Sequence, residues 1–148
     1  MSTKTQLVVD CHSPTLLLPF WAAALDYVPA TPPEGHDSWR DYYLAIGEPE
    51  ESLGDGDCCD RLVDPTERGP AVWFQVVPES KSVKNRLHLD LFVTDGSLPW
   101  AERREQLEDV VARLTALGGT IRTPIPSTEA EHFACGINDP EGNEFCLV

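Results

Sequence analysis

The chain has 148 residues, 41% hydrophobic and 24% charged, the composition of an ordinary globular domain with enough length for a real core. Its net charge of -14 argues against nucleic acid and anionic membranes as partners, because their phosphates repel such a surface. Near Met1 only Leu7–Val9 is apolar, too short for an export signal, and the cysteine count of five is odd; both favour reduced thiols in a cytoplasm.

Gln6 to Cys11 reads as a first strand, with Leu7, Val9 and Cys11 on one face and Gln6, Val8 and Asp10 on the other. Ser13-Pro14 starts a helix, serine as N-cap and proline at the first helical position, and the helix runs to about Asp26. Leu17, Phe20, Trp21, Ala24 and Leu25 form its apolar stripe, while Pro19 removes a backbone bond within it. Tyr27–Ala30 is at most a short strand. A second helix opens at the Ser38 cap and stops at Gly47, with Trp39, Tyr42, Tyr43 and Ile46 at core spacing.

Glu48–Asp57 is an acidic loop without the alternating pattern of a calcium site. Cys58–Val63 and Ala71–Val77 are the next strands. In the latter, Val72, Phe74 and Val76 share one face and Trp73, Gln75 and Val77 the other. Residues 78–84 connect two halves. Leu87–Val93 then alternates leucine and valine with His88, Asp90, Phe92 and Thr94, which predicts a strand whose leucine face lies under a helix. Ser97–Leu117 is a helix carrying Leu107, Val110, Val111, Leu114 and Leu117, stopped by Gly118-Gly119. Thr120–Thr123, Glu131–Ile137 and Asn143–Val148 are closing strands, the last two separated by the turn Asp139-Pro140-Glu141-Gly142.

Strand, helix and three strands therefore occur twice, over about 5–77 and 86–148, with the Ser38 helix as an insertion in the first copy. One register matches Gln6 with His88. A shift of two residues matches Asp10 with Asp90 and keeps the same faces.

This duplication, the strand N-R-L-H-L-D-L from Asn85 and the closing D-P-E-G-N-E-F-C from Asp139 resemble the vicinal oxygen chelate superfamily of glyoxalases, bleomycin resistance proteins and extradiol dioxygenases. Trp73-Phe74-Gln75-Val76-Val77-Pro78 and Lys84-Asn85-Arg86-Leu87-His88-Leu89-Asp90 are similar to the actinobacterial glyoxalase-like domain group. The resemblance implies an α+β fold in which one domain, residues 1–148, builds two βαβββ modules into a curved mixed sheet around a cleft. It also implies metal ligands from the first and last strand of each module. Carried over by position, these are Gln6, Gln75 and His88, with Glu144 or Cys146 on the final strand.

That set has one imidazole and at most one carboxylate, so the expectation is no metal, or a weakly held zinc, iron, nickel or manganese ion. His88 and Glu144 are the candidate catalytic acid and base. Trp73, Gln75, Asp90, Trp21, Asp10 and Cys146 are the candidate ligand-binding residues. Each has a plainer alternative: a hydrogen-bonded histidine, a solvated carboxylate, a core aromatic or a small buried thiol. The function expected is binding of a small organic molecule in the cleft, with Trp73, Trp21 and the Ser38–Ile46 helix as walls. The alternative is a metal-dependent lyase, isomerase or dioxygenase. The resemblance also suggests a homodimer.

Overall fold

The computed structural model describes residues 3–129 and 132–148. Its elements run β1 (Gln6–Cys11), α1 (Pro14–Leu25), β2 (Val28–Pro29), α2 (Trp39–Ala45), a 3-10 turn (Glu50–Ser52), β3 (Arg61–Val63), β4 (Ala71–Val76), β5 (Asp90–Leu91), α3 (Trp100–Ala116), β6 (Thr120–Thr123), β7 (Cys135–Asn138) and β8 (Glu144–Leu147).

Two four-stranded mixed sheets result, in the orders β1-β4-β3-β2 and β5-β8-β7-β6. In each sheet the first strand of the module runs parallel to the last, and the remaining pairs are antiparallel. This is the expected α+β arrangement of two βαβββ modules with α2 inserted in the first.

The two parallel ladders share one bonding pattern. Asp10 stands opposite Gln75, and Val77 N–H donates to Cys11. Asp90 stands opposite Cys146, and Val148 N–H donates to Leu91. Matching the last bonded pairs of the two ladders equates Asp10 with Asp90 and Gln75 with Cys146, while a shift of two equates Gln6 with His88; both keep the same faces.

The core lies between the sheets and the two long helices. Leu17, Phe20, Trp21 and Ala24 of α1 and Leu107, Val111 and Leu114 of α3 pack on Leu62, Val72, Phe74, Cys135, Ile137, Phe145 and Leu147. Ser13 caps α1 by accepting from Leu16 N–H, and the helix continues through Pro19. The buried side chains of Leu17, Phe20 and Trp21 around it outweigh the single backbone bond that proline forfeits.

Four local expectations change. The strand predicted over Leu87–Val93 is regular only at Asp90–Leu91, and Leu87 is 88% exposed rather than covered by a helix. Its backbone enters before the ladder begins, held by the bond from Asn85 N–H to Glu144. Leu89, Leu91 and Val93 do pack against the core as the alternation requires. The strand predicted from Cys58 starts only at Arg61, because Cys58 turns through a positive φ of 62°. The strand predicted over Glu131–Ile137 is Cys135–Asn138, and Glu131 lies outside the described residues. In α2 the aromatic stripe is only partly core: Trp39 is buried, Tyr42 and Tyr43 are half-buried, and Ile46 is exposed.

Candidate functional site

A cavity of about 730 Å³ opens between β1 and the segment leading into β5. Leu7 and Val9 of β1, Trp21 of α1, Leu89 and Phe145 give it an apolar lining. Asp10, Lys81, Lys84, Asn85, His88, Glu141 and Glu144 supply polar groups. An apolar wall with a few placed polar groups is the usual make-up of a small-molecule site.

Two carboxylates of the closing turn and strand build this cavity rather than face it unpaired. Glu141 accepts from the backbone N–H groups of His12 and Ser13, both at 2.8 Å, and so grips the junction of β1 and α1. Glu144 accepts from Asn85 N–H at 2.9 Å and pairs with Lys84 at 3.4 Å and Lys81 at 3.7 Å. The Asn85 amide and the two ammonium groups hold its carboxyl below the usual glutamate range. Glu144 thereby pins the connector between modules onto sheet two. Behind the cavity, Trp21 donates its indole N–H to Asp139 at 3.0 Å, and its ring packs on Phe145. Asp139 is buried and also accepts from Glu141 N–H, Asn143 N–H and the Asn143 side-chain amide.

On the open face of sheet two, His88, Asp90 and Cys146 offer ligand atoms that all lie within 4.8 Å of one another. His88 Nε2 is 3.4 Å from Asp90 Oδ1. Arg122 Nη2 reaches to 3.8 Å from the Cys146 sulfur. A nitrogen, an oxygen and a sulfur donor in one cluster suit a borderline divalent ion, so these residues fit the metal that the fold family implies. Such an ion polarises neighbouring oxygens of a bound molecule.

The other predicted site residues lie elsewhere. Gln6 is exposed at the start of β1 opposite Ala71, and Gln75 is half-buried opposite Asp10. Neither lines the cavity. Trp73 donates its indole N–H to Asp60 at 2.8 Å beneath the Arg61 guanidinium. The α2 helix, expected as a pocket wall, contributes no lining residue. Trp39 packs instead under Arg61, whose guanidinium lies 4.8 Å from its ring, and Tyr43 hydroxyl donates to Asp60 at 2.7 Å. Burial, and then the bond to Asp60, push the Tyr43 hydroxyl above its ordinary pKa, and the same packing anchors α2 on sheet one.

Asp139, Glu141 and Arg122 were not among the predicted site residues. The turn contains the two acids, but Trp21, His12 and Ser13, which they hold across the modules, are more than 100 residues away in sequence, where no local pattern reaches.

Residues 6–148 match the family described as a glyoxalase-like domain. The chain belongs to this family. No curated relative matches it by sequence. Among solved structures it is similar to a hypothetical protein from S. aureus, with a TM-score of 0.61 at 11% identity over 99% of this chain and 93% of that one. A glyoxalase/bleomycin resistance protein/dioxygenase family enzyme from Burkholderia phytofirmans PsJN gives 0.58 at 13% identity, covering 97% and 94%. A variant of the fosfomycin resistance protein FosX from Listeria monocytogenes, complexed with Mn(II) and 1S,2S-dihydroxypropylphosphonic acid, gives 0.58 at 10% identity, covering 99% and 89%. At such identities the likeness is one of fold.

Proposed function

We propose that this glyoxalase-like chain binds a small organic molecule in the cavity between its modules, without needing a tightly held metal to do so. The observation that carries this reading is the cavity itself: Leu7, Val9, Trp21, Leu89 and Phe145 offer apolar contact, and His88 offers one directional hydrogen bond. The lysines beside it are engaged by Glu144, which leaves His88 as the polar group best placed to orient a ligand.

The experiment is a titration with the neutral apolar probe 1-N-phenylnaphthylamine, followed by its fluorescence on protein treated with chelator. Saturable binding is expected, and Val9→Trp, which fills the cavity, abolishes it. Absence of saturable binding by probe and by a fragment library overturns the reading.

A second reading is a divalent-metal-dependent lyase, isomerase or dioxygenase. The convergence of His88, Asp90 and Cys146 favours it, with His88 at the boundary between that cluster and the cavity. Metal content per chain separates the two readings. The proposal also covers a cytoplasmic homodimer of the actinobacterial glyoxalase-like group; sedimentation of the purified chain tests the pairing.

A further inference from the structure

We propose that residues 79–85 are a gate along the cavity, latched by the Glu144 carboxylate, and that a ligand enters and leaves when the latch lets go. The proposal rests on the reading above that the cavity holds a small organic molecule, and it concerns how that cavity opens.

The segment joining β4 to β5 is fixed at its two ends. Val77 N–H donates to the Cys11 carbonyl, and the Leu89 carbonyl accepts from Cys146 N–H. Between these points, residues 78–88 make no backbone–backbone hydrogen bond with any described residue. A stretch without such bonds opens at low free-energy cost unless side chains hold it. Residues 79–85 all line the cavity, and all but Asn85 are also exposed to solvent. The span is therefore a single layer of chain between cavity and water.

Its ties converge on the start of β8. Asn85 N–H, Lys84 Nζ and Lys81 Nζ lie 2.9, 3.4 and 3.7 Å from the Glu144 carboxylate oxygens. The Asn85 side-chain amide adds a long contact of 3.5 Å to Asn143 Oδ1. The Glu144 side chain is only 15% exposed, so its bond to Asn85 N–H is shielded from water, whereas Lys84, 67% exposed, contributes least. Because three ties share one carboxylate, they are lost together.

The latched arrangement also carries a fault. Asn143 Nδ2 donates to Asp139 at 2.9 Å, which turns Asn143 Oδ1 toward Asn85 and requires Asn85 to present its Nδ2 there. Asn85 Oδ1 is left buried without a donor. An unpaired buried carbonyl disfavours the latched state and offsets part of what Glu144 contributes. On release that oxygen reaches water. Val83 and Leu87 line the cavity yet are 74% and 88% exposed, so a bound apolar molecule would cover them and favour reclosing over itself.

Limited trypsin digestion reads the latch without any ligand, because Lys81 and Lys84 are cleavage sites inside the gate. Glu144→Ala should speed cleavage after them by about tenfold or more, as expected for losing a hydrogen bond to a charged group, while Arg104 and Arg113 of α3 stay uncut. Stopped-flow binding of 1-N-phenylnaphthylamine reads the gate. In the unaltered chain the observed association rate should level off with rising probe as opening becomes limiting, an outcome that does not depend on a variant folding. In Glu144→Ala, association and release should both quicken. Unchanged cleavage at Lys81 and Lys84, cleavage that rises as much in α3, a rate in the unaltered chain that stays linear in probe, or release that quickens alone each overturns the proposal. Where no probe binds, the reading of the cavity fails, and the trypsin rates alone decide the latch.

Discussion

Trp21 and Asp139 meet across the boundary between the two modules: the indole N–H donates to the carboxylate at 3.0 Å inside the core. Three further donors, from Glu141 and Asn143, converge on the same carboxylate. Burying a charge is tolerable here because every lone pair direction finds a donor.

Asp139→Ala strands those donors together, so we expect a loss of about 3 kcal/mol or more. Trp21→Phe keeps most of the packing and frees one of four bonds, so the loss should be about 1–2 kcal/mol. Urea denaturation of both variants checks the order. Equal losses would mean that the ring contacts, not the carboxylate, carry the junction.

Gly119 lies where α3 turns into β6, and its lack of a side chain is what lets Phe20 approach. A Cβ there would meet Phe20 Cε2 at 2.8 Å and the Leu114 carbonyl oxygen at 3.0 Å. Phe20 is fully buried and cannot swing away. Gly119→Ala should therefore destabilise by about 1–3 kcal/mol, the cost of overpacking a filled core. An unchanged thermal midpoint would contradict this.

Acid sensitivity should arise from carboxylates whose folded-state pKa is depressed. Asp64 is held down to about 2, chiefly by the Thr66 hydroxyl and then by backbone N–H groups of Thr66, Gly69 and Arg68. Glu144 is lowered by Asn85 N–H and the lysines. A depressed folded-state value gives stability that is present above the ordinary pKa and lost as pH falls through the folded one. The Asp64 contribution should thus fade between about pH 4 and about pH 2. Asp64→Asn and Glu144→Gln should each flatten the acid limb of a stability-against-pH curve measured by urea unfolding.

The cysteines should separate into two reactivity classes. Burial pushes the Cys11 thiol up to about 12, assisted by Glu141 and Asp139, and burial pushes Cys135 up to about 11. Since the thiolate is the nucleophile, alkylation of these two in the folded state should be about 100-fold or more slower than that of an ordinary thiol. Peptide mass mapping after a short iodoacetamide pulse should find them unmodified until denaturant is added.

Much of this architecture was legible locally. The Leu17–Ala24 and Leu107–Leu114 stripes, the Ser13 and Ser38 caps and the alternation in Gln6–Cys11 each follow from a few neighbouring residues, and the duplicated order of elements follows from them. The candidate site was legible only in part. His88, Asp90 and Cys146 could be placed on one face by period-two alternation, but the ladder register that sets Asp90 beside Cys146 is a long-range property. Glu144 read as a free acid because Lys81, Lys84 and Asn85 are about 60 residues away in sequence. The α2 stripe read as a possible cavity wall because its target, Arg61 stacked between Trp39 and Trp73, is a tertiary contact.

The same duplication that gives the chain two matching sheets has left them chemically unlike. Sheet one sets Asp10 beside Gln75, and sheet two sets Asp90 beside Cys146 with His88 within reach. A molecule bound between them, as proposed above, would meet different groups on its two sides and so have one preferred way round, where an unmodified duplication would offer two equivalent half-sites. A symmetric molecule would gain nothing from its second end.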